Sequence, residues 1–251
     1  MNGKKVQEIF GKRAEGYVKS ASHADKEVLE RVGEMCGDLH DKLALDVATG
    51  TGHVAMHLAP AAGTVIGLDL TRRMLEVARE EAVKRSISNI AWLRGDVRSL
   101  PFPDGSFHAV TCRRAPHHFP DINKALKEMA RVLKDDGVMV IDDRSVPDDP
   151  EVDRTMNHLD LLHDRSHVRE YGRREWERML GETGLRDIEV REYRRHLALS
   201  TMTWNAEPSD AKEIERVVSS LSSDLKGRMA VEEADGKLFI DQYYIAIRAT
   251  K

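Results

Sequence analysis

Carboxylates recur at three points in this chain where an apolar run gives way to a turn. They are Asp46 in LALDVATGTGHVA, Asp69 in VIGLDLT and Asp96 in LRGDVRSL. Asp46 is followed closely by the small residues Ala48, Gly50 and Gly52. Small residues let backbone N–H groups approach a ligand, and a helix starting at His53 would turn its N-terminus toward polar or anionic groups. A carboxylate within such a turn has no use in a pyrophosphate cradle. It does suit the ammonium of an amino-acid-like ligand.

The second acid, Asp69, can accept hydrogen bonds from both hydroxyls of a ribose. It could equally cap the turn ahead of Thr71. With a nucleoside bound, Leu70 and Met74 would pack on the adenine face. In the third segment, Gly95-Asp96-Val97, the Asp96 carboxylate can take the exocyclic amine of adenine while Val97 presents its N–H to the ring. The spacing Gly50-x-Gly52-x-x-Ala55 also fits a dinucleotide fingerprint, and Asp69 would serve NAD equally well. Ordered as ammonium, ribose and adenine, however, the three acids trace the length of S-adenosylmethionine (SAM).

These residues need elements to position them. Strands are expected at Leu43–Ala48, Thr64–Asp69, Ile90–Arg94, His108–Arg113 and Val138–Asp142. Helices at His53–Ala59, Arg72–Ser86 and Asp121–Lys134 alternate with them, the last carrying Ile122, Leu126, Met129 and Leu133 on one face. Strand–helix alternation implies a parallel sheet covered on both faces, with ligands at the carboxyl ends of the strands. Two helices, Lys4–Lys19 and Asp25–Cys36, precede this core. A further helical stretch is expected over Pro150–Tyr171, helices over Arg174–Thr183 and Ser209–Lys226, and strands at Leu185–His196 and Lys237–Arg248.

Composition bounds the remainder. The chain has 251 residues, 33% of them charged and 41% hydrophobic, with a formal charge of −4. One α/β domain with a sizeable core is the expectation. The acidic balance gives no general attraction to nucleic acid, although REYRRH is locally basic. Cys36 and Cys112 make neither a disulfide framework nor a metal site. Met1–Lys5 runs straight into a charged helical pattern, and no apolar run reaches the roughly 18 residues needed to span a bilayer. A cytoplasmic protein without membrane contact is expected.

The pieces LALDVATGTGHVA, VIGLDLTRRML, GDVRSLPFPDGSFHAV, CRRAPHHF and EMARVLKDDGVMVIDD resemble the class I SAM-dependent methyltransferases. The likeness is to the group that includes the ubiquinone/menaquinone C-methyltransferases and their small-molecule relatives (methyltransferase type 11), and it covers about Leu43–Asp143. It implies a Rossmann-like α/β fold: a seven-stranded, mostly parallel sheet with an antiparallel last strand, helices on both faces and an N-terminal helical cap. It also implies a single domain over 1–251, with a cap at 1–40, a SAM-binding core at 41–143 and a C-terminal half at 144–251 carrying specificity insertions. Two departures stand out. Ala48 replaces the usual first glycine, and KDDG replaces a Lys-Pro-Gly-Gly turn before the fifth strand. No Asn/Asp-Pro-Pro-Tyr element follows the fourth strand, which disfavours adenine or glutamine N-methylation.

A methyl transfer of this kind is an in-line displacement, and it needs a general base only when the acceptor arrives protonated. His117 and His118 follow the fourth strand and are the candidates, the alternative being that one only caps the local turn. His53, at the start of its helix, could line the cofactor or serve as a surface cap. Arg113 is grouped with the cofactor contacts and could instead take a carboxylate or phosphate on the acceptor. The resemblance suggests that Phe10, Tyr17, Ser20 and His23 belong to a lid, although Phe10 and Tyr17 could also be one packed helix face. Arg165, His167 and Arg169 could reach the acceptor, or form a solvated charge run; HDRSH matches no metal-ligand spacing. The partner expected is a small-molecule methyl acceptor, and a homodimer stays open. The alternatives are a tRNA or protein methyltransferase, an NAD-dependent dehydrogenase and a SAM-binding domain without transfer.

Overall fold

A computed structural model describes residues 3–18, 24–204 and 206–251. Two helices, α1 (Gly3–Val18) and α2 (Lys26–Cys36), lead into β1 (Leu43–Val47), α3 (His53–Leu58), β2 (Thr64–Asp69), α4 (Arg72–Lys84), β3 (Ile90–Arg94) and β4 (Phe107–Arg113). A 3-10 turn at Pro116–His118 precedes α5 (Ile122–Val132) and β5 (Leu133–Ser145). The C-terminal half runs α6 (Pro150–His163), α7 (Arg173–Gly181), β6 (Arg186–Ala198), α8 (Ser200–Thr203), α9 (Pro208–Ser220), α10 (Ser223–Arg228), β7 (Glu232–Ala234) and β8 (Lys237–Thr250).

The strands form one sheet in the order β3-β2-β1-β4-β5-β8-β6, with β8 antiparallel to both neighbours. The expected seven strands are therefore present, and the last one is reversed. An eighth strand, β7, makes a short hairpin with β8. Successive side chains of a strand point to opposite faces, and the packing follows that rule. Met139 and Ile141 of β5 join the core under α5 and α7, whereas Val138 and Val140 face α2 and α3. Interior strands β1 and β4 are buried almost throughout, as expected of a parallel sheet covered on both sides.

Two differences from the sequence reading have local causes. The helix expected to continue to Tyr171 stops at His163, because the Asp164 side chain accepts from the Ser166 N–H and hydroxyl and closes a turn instead. The KDDG segment lies inside β5 at a register shift against β4 rather than in a turn before it. The C-terminal helices enclose a core of their own, in which Val152, Met156, Leu159, Met202, Ile214 and Val218 are buried.

Chain order reverses beside β1: β2 and β3 extend to one side of it, while β4 pairs on the other. Such a switch point leaves a crevice beyond the carboxyl ends of the two strands. Ala48 lies at the lip of this crevice with φ 52°. A residue with a Cβ pays about 1–2 kcal/mol for that conformation, while glycine loses about 0.5–1 kcal/mol more chain entropy on folding. Ala48→Gly should therefore raise stability by up to about 1 kcal/mol, or roughly 2–4 °C in a thermal melt. An unchanged or lower midpoint would mean that packing of the Ala48 methyl against the adjoining core outweighs the strain.

Candidate functional site

The crevice is a cleft of about 1160 Å³, open mouth included, floored by the turns that follow β1, β2, β3 and β4. Of the residues singled out in the sequence, Phe10, Asp46, Ala48, Gly50, Asp69, Leu70, Met74, Gly95, Asp96, Val97, Arg113 and His118 line it. The three acids thus stand along one wall, each at its strand end.

Each acid is locally engaged. Asp46 is buried and accepts from the Thr49 hydroxyl at 2.5 Å and the Thr111 hydroxyl at 2.8 Å. Burial pushes its pKa up to about 6, against the lowering effect of those hydroxyls. Asp69 accepts from the Gly50 N–H at 2.9 Å and the Thr71 N–H at 2.7 Å, so it ties the β1 turn to the start of α4. Both suggested roles of Asp69 are therefore compatible: it braces the turn, and its other lone pairs are available to a ligand. Asp96 holds Arg98 in a bidentate pair at 3.0 and 2.7 Å, and that guanidinium keeps its carboxyl below the usual value.

Glycine is demanded at two of these places for different reasons. Gly52 has φ 82°, and a Cβ there would stand 2.5 Å from the Trp92 ring. It supports the cleft from behind and does not line it. A Cβ on Gly50 would meet no atom within 4 Å, so it would only fill the cleft. The open space over Gly50, flanked by three acceptor carboxylates, fits a ligand carrying an ammonium, a ribose and an adenine.

The two adjacent histidines part company. His117 donates its backbone N–H to Asp143 at 2.9 Å, and its Nδ1 lies 2.6 Å from the same carboxylate. Asp143 is fully buried; burial opposes its charge, but His117 holds the carboxyl below its ordinary value. The His117 carbonyl receives the Val168 and Arg169 N–H groups. His117 is thus a brace and does not line the cleft, contrary to the pairing of both histidines as catalytic candidates.

His118 does line it, and Phe10 of α1 stands edge-on to its ring at 5.1 Å. Its Nδ1 is 3.1 Å from the Ser166 hydroxyl, which donates at 2.6 Å to Asp164. The hydroxyl has one proton, already given to Asp164, so the network assigns the Nδ1 hydrogen to His118 and leaves Nε2 as an acceptor. Burial, then the neighbouring His117, push the His118 pKa down to about 3. Asp164 is in turn paired with Arg13 of α1 at 3.1 Å.

The insert residues go elsewhere. Arg165 is paired with Asp210 at 2.5 Å, Arg169 with Asp153 and Glu175 at 2.9 and 3.0 Å, and His167 Nε2 lies 3.0 Å from Asn157 Oδ1. None of the three lines the cleft, because carboxylates and the Asn157 amide within the C-terminal half take them up. Ser20, His23 and the Tyr17 side chain lie outside the described residues. The sequence reading gave no ligand role to Thr49, Thr71, Arg98 and Arg114, which also line the cleft. It left open whether His53 lines the cofactor site, and His53 does line the cleft. The ladder of adjoining acids was a signal for the first two. Among the described residues no group of histidine, cysteine and carboxylate side chains could hold a metal ion, and no helix is long and apolar enough to cross a membrane.

Comparison with known proteins agrees with this fold. Residues 45–141 match the family model described as a methyltransferase domain. The uncharacterized methyltransferase YcgJ of Bacillus subtilis is 39% identical over 195 residues, covering 78% of this chain and 76% of that protein. Its crystal structure superposes with a TM-score of 0.84 over 89% of this chain and 97% of that one, with 31% identity over this longer match. The demethylmenaquinone methyltransferase of Lactococcus lactis is 36% identical over 155 residues, which cover 59% of this chain and 61% of that protein. The chain belongs to this methyltransferase family. It is a SAM-dependent methyltransferase, and the dinucleotide alternative falls with that membership.

Proposed function

We propose that this enzyme holds SAM along the Asp46–Asp69–Asp96 wall and uses His118 to take a proton from its acceptor. Asp46 would face the ammonium, Asp69 the ribose hydroxyls, and Asp96 with Val97 the adenine. The bound cofactor supplies an electrophilic methyl group and its own leaving group, S-adenosylhomocysteine (SAH). Most of the acceleration then comes from alignment, for which effective molarities of about 10⁵ M and above are on record.

The observation that carries the proton-transfer role is the Asp164–Ser166–His118 chain. It holds the imidazole by Nδ1 and leaves Nε2 to accept; Asp164 and Ser166 favour the proton that Nε2 would take up, against the burial that keeps the resting ring neutral and weakly basic. Ser166 and Asp164 are positioning residues in this reading. The lid role of α1 is supported by its ties across the mouth: Arg13 to Asp164, Glu15 to Arg73 and Gln7 to Arg94. A covered cleft excludes water from the reacting atoms. A cytoplasmic setting fits the two buried free thiols, Cys36 and Cys112.

The test follows SAH release from SAM with separate pools of small metabolites, tRNA and unfolded protein. Release is expected with the metabolite pool alone. Release driven by tRNA or protein, with none from metabolites, would contradict a small acceptor.

A further inference from the structure

One part of the cleft wall is not used by this mechanism. Arg113 and Arg114 close the end of β4 and both line the cleft, as His118 does. Behind them lies Asp142, a carboxylate with no solvent exposure. Its oxygens are 3.3 Å from Arg31 Nη2, 3.4 Å from Arg114 Nε and 4.0 Å from Arg113 Nε, and the Tyr193 hydroxyl donates to it at 2.8 Å. Three guanidinium groups from α2 and β4 therefore share one buried carboxylate.

Among the described residues, no second carboxylate comes within 3.5 Å of the Arg31 or Arg114 guanidinium. Asp25 is paired with Arg195, and Asp46 is held by the Thr49 and Thr111 hydroxyls. Glu27 reaches Arg31 only at 3.9 Å with its side chain 80% exposed. Two stacked tyrosines take part of the load: Arg31 lies over Tyr193 at 4.1 Å and Arg114 over Tyr244 at 4.0 Å. Even so, Nε of Arg31 and Nε of Arg114 are buried without a hydrogen-bond partner among the described residues. Positive charge gathered out of water is costly unless a counter-charge meets it. The guanidinium fork matches the oxygens of a carboxylate or phosphate.

We infer that the methyl acceptor is an anion, a small molecule whose carboxylate or phosphate is held at the Arg113–Arg114 wall of the cleft. The inference rests on the SAM reading above, since it gives the other wall to the cofactor. Asp142 keeps the guanidinium groups in place and competes with the incoming anion for them. Removing its charge should therefore strengthen anion binding, whereas in a purely structural cluster it would only loosen the fold.

The probe is inorganic phosphate, titrated by calorimetry into the SAH-saturated enzyme at low ionic strength. Wild type should bind it, Arg114→Met should bind it at least tenfold more weakly, and Asp142→Asn should bind it more tightly. SAH affinity should stay within about threefold in both variants. If Arg114→Met folds poorly, the Asp142→Asn comparison with wild type decides alone. No phosphate binding by the SAH-saturated wild type would overturn the inference. So would an Arg114→Met variant that loses affinity for SAH but not for 5′-methylthioadenosine, because the cluster would then serve the cofactor's own carboxylate. Failure of the cofactor reading shows separately, as absence of SAH binding before any phosphate is added.

Discussion

His118→Gln should lower kcat by about 10²-fold, the low end of the span a positioned general base contributes because burial makes this imidazole a weak base, while SAH affinity changes no more than a few-fold. Glutamine keeps a donor near Ser166 but offers no basic nitrogen to the acceptor. His117→Gln, by contrast, removes a partner of buried Asp143 and should cost stability more than it costs transfer by the folded fraction. The pH dependence adds a check. With its pKa pushed down to about 3, first by burial, His118 is neutral across pH 5–8, so no loss of rate in that range should come from its protonation. The sign for stability is fixed by the same shift. An unfolded histidine has a pKa near 6.5, so the contribution of this group is intact above that value and is lost as pH falls toward about 3. Equal kcat values for wild type and His118→Gln, measured by SAH release with a responsive acceptor, would remove His118 from the mechanism.

Asp69→Ala should weaken SAH binding by about 100-fold or more. Each charge-assisted bond to a ribose hydroxyl is worth roughly 1.5–3 kcal/mol, and two would be lost. Preorganisation would be lost with them, since this carboxylate also holds the Gly50 and Thr71 N–H groups that shape the cradle. Asp69→Asn keeps one acceptor oxygen and serves as the folding control; it should fall between wild type and alanine. Calorimetry with SAH, alongside circular dichroism to confirm folding, checks this. Affinity within threefold of wild type for a folded Asp69→Ala would place the ribose elsewhere.

The sheet was legible because its signals are local. Apolar runs ending at Asp46, Asp69 and Arg94, each followed by a turn and the first two also by a helical period, define the strands that carry the acids. What escaped depended on contacts distant in sequence. Ser166 meets His118 across 48 residues, and Asp142 meets Arg31 across 111. No spacing rule connects such residues, so the brace behind His118 and the arginine cluster could be seen only after folding. The run containing Arg165, His167 and Arg169 misled in the opposite sense. Its residues look free as a string, yet Asp210, Asn157 and Asp153 take them up. Chain ends of elements were blurred where a side chain competes with the backbone, as Asp164 does at the end of α6.

A crystal structure of the enzyme with SAH tests the central claim most directly. The account predicts the adenine beside Asp96 and Val97, the ribose hydroxyls on Asp69, the ammonium toward Asp46 and the sulfur on the side of the cleft where His118 presents Nε2. SAH lying in the opposite direction, or with His118 turned away from the sulfur and bonded through Nε2 to the protein, would contradict it.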